Sequence, residues 1–213
     1  MQPIKSLLVI AATLAPLSLA PAVADAQPGG YYSQPQPSTV LPGGFHNRQG
    51  RLMFGFSLGL GTMKDSQGKI GCDASCNYST LSGMASGHIG GFIGPRLALM
   101  AELQGNIVTL ATDGYDDINL VQSALMGAVQ YWVTPQLWLK GGIGFANLSV
   151  DDTYDASSTN IDNGMALMGG IGFELLSSQR FSVDLQGRIL AGSYDGIDEQ
   201  ITAGSIGVGI NWF

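Results

Sequence analysis

Glu102, Lys140, Glu174, Asp184 and Arg188 stand inside stretches whose other residues are apolar, small or neutral polar. Brought together in an interior, three acids and two bases would pair and hydrogen-bond, because an unpaired buried charge is expensive. Along an open interior the same groups would line a proton or solute path. Ser86 and His88, in SGHIGG, are a nucleophile type and a base type close in sequence, which a lipid hydrolase would need. Cys72 and Cys76 have no neighbouring His, so they are too few ligands for structural zinc. In an oxidising compartment such a pair closes a small disulfide staple.

The remaining acids cluster: Asp113, Asp116 and Asp117; Asp151, Asp152, Asp155 and Asp162; Asp195, Asp198 and Glu199. Carboxylate clusters can hold Ca²⁺ or Mg²⁺, but none of these has the spacing of a calcium loop. They read as solvated acidic surface. With a net charge of −7, the chain is a poor partner for nucleic acid. The glycines of IGGFIG and KGGIG alternate within strand-like segments and precede no helix, so they form no nucleotide loop. No cofactor is called for.

The elements that must position these side chains have a period of two. In RLMFGFSLGLG, Leu52, Phe54, Phe56, Leu58 and Leu60 alternate with Met53, Gly55, Ser57, Gly59 and Gly61. The same alternation recurs from Leu97, Leu137, Leu167 and Phe181, less cleanly over 80–93 and 120–133, and again from 200 to the C-terminus. That predicts eight strands. All five charges of the opening set fall opposite the large apolar residues, and so do Ser86 and His88. Charged residues are only 12% of the chain, about half the usual share of roughly 25%. Together these features predict a barrel whose outer wall meets lipid and whose charges face inward. On the lipid side near the midplane, a Lys or Arg would cost about 2–4 kcal/mol. Ser86 and His88 would then point away from any lipid substrate, which argues against the hydrolase.

Short links are expected at Gly94-Pro95-Arg96, Thr134-Pro135-Gln136 and 176–180, and long polar ones near 62–79, 109–118, 147–163 and 192–199. Tight turns at one end and long loops at the other are the habit of outer-membrane barrels. Tyr131, Trp132, Trp138, Phe173, Phe181, Trp212 and Phe213 gather near the short-turn end as an expected interfacial girdle. Ahead of the strands, residues 1–26 read as a signal peptide. Lys5 is its positive start, Leu7 to Leu14 its apolar run, and Ala24-Asp25-Ala26 its cleavage site. Residues 27–50, rich in Gln, Pro, Gly and Ser, read as a flexible periplasmic leader. Residues 51–213 are the expected barrel.

On these strands and loops, on QYWVTPQLWLKGGIGFA (130–146) and on the ending IGVGINWF (206–213), the chain resembles the OmpA/OmpX-like family of eight-stranded outer-membrane β-barrels. Phe213 departs from the pattern, being out of phase with Ile206, Val208, Ile210 and Trp212. The resemblance implies an all-β, up-and-down antiparallel barrel in the bacterial outer membrane, in contact with membrane lipid and lipopolysaccharide. It also implies recognition of the C-terminal strand by barrel-assembly machinery. A non-enzymatic role through extracellular loops, in surface contact or envelope integrity, is the leading expectation. A narrow channel, and then a lipid-acting barrel enzyme, are the alternatives.

Overall fold

The computed structural model describes residues 43–65, 81–110, 118–152, 157–194, 196 and 200–213. Eight strands follow one another: β1 Leu52–Lys64, β2 Leu81–Phe92, β3 Leu97–Leu110, β4 Ile118–Trp132, β5 Leu137–Asp152, β6 Ser157–Ser177, β7 Phe181–Tyr194 and β8 Gln200–Trp212. Each pairs antiparallel with its sequence neighbours, and β8 returns to β1, so the sheet closes into a barrel. Closure leaves no strand edge unpaired, the condition for crossing lipid with strands.

The register fixes the barrel's shape. Stepping from partner to partner, Phe54 leads to Ile89, Ala101, Gly127, Ile143, Leu167, Ala191 and Thr202, and back to β1 at Lys64, ten residues further on. Ten residues of about 3.3 Å set against eight strands about 4.8 Å apart give a strand tilt of about 40°. At eight strands the interior is just wide enough for side chains to fill it.

Alternation sorts the side chains as expected. Leu52, Phe54, Phe56, Leu58 and Leu60 are exposed on the outer wall, while Met53, Ser57 and Met63 are buried inside. The apolar outer face continues round the barrel through Leu103, Leu125, Ile143, Leu167, Leu185 and Val208. This is the lipid-facing surface of a membrane-spanning barrel. From Leu52 to Leu60 it covers about 26 Å of strand, or about 20 Å along the axis at that tilt, close to the band such barrels carry.

Two expectations change. The link expected over 147–163 is mostly strand. β5 runs on to Asp152 and β6 starts at Ser157, with Asp152 opposite Ser157 and a bulge between Leu148 and Ser149. Hydrophobic alternation marks where a strand lies in lipid. Beyond that level the backbone ladder continues with Asn147, Ser149 and Asp151 on the outer face, and the apolar signal disappears while the strand does not. The aromatic girdle is also smaller than expected. Tyr131, Phe173, Phe181 and Trp212 are on the outer wall, with Phe54 stacked on Trp212 at 5.3 Å. Trp132 and Trp138 are buried in the lumen. The Trp138 indole lies across Gly172, its partner on β6, where any Cβ would collide with the ring.

Candidate functional site: the lumen charge network

The lumen core is built on β3, β5 and β7, whose inward positions bring Glu102, Lys140 and Arg188 to one level. Lys140 Nζ donates to Glu102 Oε2 at 2.9 Å, and Arg188 Nη1 donates to the other oxygen, Oε1. Glu102 is fully buried, so its negative charge is compensated from both sides rather than by water. Arg188 is held further by Gln186, with Nε donating to Gln186 Oε1 at 2.7 Å. Weaker contacts reach Gln104 Oε1 at 3.4 Å and Ser57 Oγ at 3.5 Å. Lys140 Nζ stands 5.3 Å from the centre of the Trp138 ring, within the range of a cation–π contact.

The other two predicted acids do not join this group. Asp184 Oδ2 accepts from Asn211 Nδ2 at 2.7 Å, and the same amide reaches Ser182 Oγ at 3.1 Å. Glu174, at the short-turn end, pairs with Arg48. Nη1 meets Oε1 at 2.9 Å and Nη2 meets Oε2 at 3.0 Å, a bidentate fork. Trp132 Nε1 also donates to Glu174 Oε1 at 2.8 Å, and Ser177 Oγ donates to Oε2. The sequence-based expectation of one network of five charges is therefore corrected to a central triad, an amide-held aspartate and a second ion pair near the short-turn mouth.

Arg48 is the residue that sequence reasoning missed. It belongs to the stretch expected to be a flexible leader, which has no alternation to reveal a buried face. A signal was nevertheless present. The lumen face held three acids against two bases, and Arg48 makes the count three and three.

Further toward the long-loop end, Gln122 Nε2 donates to the Tyr194 hydroxyl at 3.0 Å and to the Ile201 carbonyl at 3.3 Å. Met63, Val108, Leu120, Leu148 and Ile201 are buried there among apolar neighbours. Ser86 and His88 are both buried in the lumen, opposite Ser57 and Gly55 on β1. Cys72, Cys76 and most of the acidic clusters lie outside the described residues. Among the described residues, no group of three or more His, Cys, Asp or Glu could hold a metal ion.

No protein-family model matches the chain, and no curated protein matches its sequence. Solved structures do match the fold. One is Ail, the attachment invasion locus protein of Yersinia pestis, crystallised with the heparin analogue sucrose octasulfate. Identity is 10%, the match covers 76% of this chain and 99% of that one, and the TM-score is 0.52. Another is Neisserial surface protein A, at 11% identity, covering 76% of this chain and 96% of that one, with a TM-score of 0.53. Identity this low carries the fold and no activity. The chain has the closed eight-stranded fold of these small outer-membrane barrels.

Proposed function

We propose that this chain is a non-enzymatic β-barrel of the bacterial outer membrane that acts through its outside surface, in surface contact or envelope integrity. The observation that supports this is the filled lumen. The Glu102–Lys140–Arg188 triad sits at its centre, apolar packing lies toward the long-loop end, and the Arg48–Glu174 pair lies toward the other. Chemistry or transport through such an interior would first have to break buried ion pairs. In this reading the outer wall contacts membrane lipid and lipopolysaccharide, and the barrel-assembly machinery engages the C-terminal strand during insertion.

Ail was crystallised with a polyanion. The acid-rich connections of this chain, with Asp113, Asp116, Asp117, Asp195, Asp198 and Glu199, are matched by electrostatics to cationic or neutral partners instead. The test is to shorten, one at a time, the segments 65–80, 111–117, 153–156 and 195–199. Each variant is scored for cell-surface binding and envelope leakage, with heat-modifiable electrophoretic mobility as the check that the barrel folds. Loss of binding or integrity in a folded variant supports the proposal. Full retention of both by every folded variant sinks it. Steady, large conductance of the native barrel in planar bilayers would favour the narrow channel. Lipid hydrolysis that vanishes on Ser86→Ala or His88→Ala would favour the enzyme.

A further inference from the structure

The segment that precedes β1 crosses the short-turn mouth of the barrel and touches all three short turns. Gly44 lies beside Pro135 in the β4–β5 turn. Phe45 is buried, with the Arg96 guanidinium of the β2–β3 turn 3.7 Å from its ring centre. Arg48 reaches the β6–β7 turn, where Nη2 donates to the Ser178 carbonyl at 2.8 Å and to Ser177 Oγ at 3.1 Å, in addition to its fork on Glu174. Arg51 Nη1 donates to the Gln179 carbonyl of the same turn at 2.8 Å. Gly50 adopts a positive φ of 77°, which lets its N–H turn to the Phe92 carbonyl at 3.0 Å.

The segment also meets the end of the chain. The Arg48 guanidinium lies 3.8 Å from the Phe213 ring centre, and Phe213 packs edge-on against Phe92. This accounts for the phase break at Phe213, which leaves the lipid-facing row and becomes part of the floor beneath Arg48. Arg48, four residues ahead of the first strand, thus grips the residue that follows the last one, across the β1–β8 seam where the barrel closes.

We propose that residues 43–51 are a strap that seals the short-turn mouth and clasps the β1–β8 seam, with Arg48 as its pin. Glu174 is the socket. The strap accounts for an arginine at 3% exposure in a stretch otherwise typical of a linker. It also places the water-accessible boundary of the lumen at the strap rather than at the triad.

The test uses a reporter just beneath the strap. Ser182 is fully buried and stands opposite Ser177, an Arg48 partner. In the full chain with Cys72→Ser and Cys76→Ser, Ser182→Cys is treated with a water-soluble maleimide in lipid vesicles. The cysteine should be protected while Arg48 is present. With Arg48→Gln or Glu174→Gln added, and folding confirmed by heat-modifiable mobility, labelling should rise by about tenfold or more, because each lost charge-assisted hydrogen bond shifts docking by roughly that factor. Equal labelling with and without Arg48 overturns the proposal. A second measurement needs no strap variant. Hydrogen exchange in the native chain should show the Gly50 amide protected, and exchange there at the rate of a free peptide overturns the strap even if both substitutions fail to fold.

Discussion

Replacing Glu102 by glutamine keeps the shape of the side chain and removes the one carboxylate between Lys140 and Arg188. In the native barrel both cations bond to that group, Lys140 at 2.9 Å, and all three side chains are buried. Asp184 Oδ2 is held by Asn211 and Glu174 by Arg48, so among the described residues neither of the other lumen acids is bonded to the two cations. Two cations would be left facing a neutral amide. Removing one partner of a buried pair costs about 3–5 kcal/mol, and here the loss strands two charges, so the upper part of that range applies. Lys140→Met is the matched control. Glu102 keeps Arg188, and the loss is one charge-assisted hydrogen bond, about 1.5–3 kcal/mol. The assay is urea unfolding in lipid vesicles, followed by heat-modifiable mobility. For a slope of about 2 kcal/mol per molar, Glu102→Gln should lower the midpoint by roughly 2 M, and Lys140→Met by about half that. If Lys140→Met costs as much as Glu102→Gln, Glu102 is not the shared partner and the reasoning fails.

Two other predictions address the wall and the loops. Leu103 is 59% exposed and Gln104 is 1% exposed on consecutive positions of β3. A fluorophore on a single cysteine should therefore be quenched by brominated lipid at 103 and not at 104, and equal quenching would sink the transmembrane reading. Mass spectrometry of exported protein should show Cys72 and Cys76 joined and the mature chain starting at Gln27. Free thiols or an intact Met1 would remove the corresponding step of the export argument.

The sequence on its own determined the strand count, the sides of the wall and the inward direction of Glu102, Lys140, Glu174, Asp184 and Arg188. All of these follow from a period of two, and parity is a local property of the chain. Partner choice is not local. Lys140 and Arg188 lie 38 and 86 residues from Glu102, and which acid each meets depends on the ten-residue stagger of the closed barrel. Only the tertiary structure decides that level. The same holds for Trp132 and Trp138, expected as aromatics near the short turns to sit at the membrane interface but buried in the lumen of the folded barrel. A bare Gly172 surface gives Trp138 its place inside. Strand length past the membrane was hidden, because Asn147, Ser149 and Asp151 keep the backbone ladder without the apolar signal. Arg48 was hidden most completely. No periodicity marks a segment that crosses the mouth once, and its burial comes from three turns and a chain end that only closure of the barrel brings together.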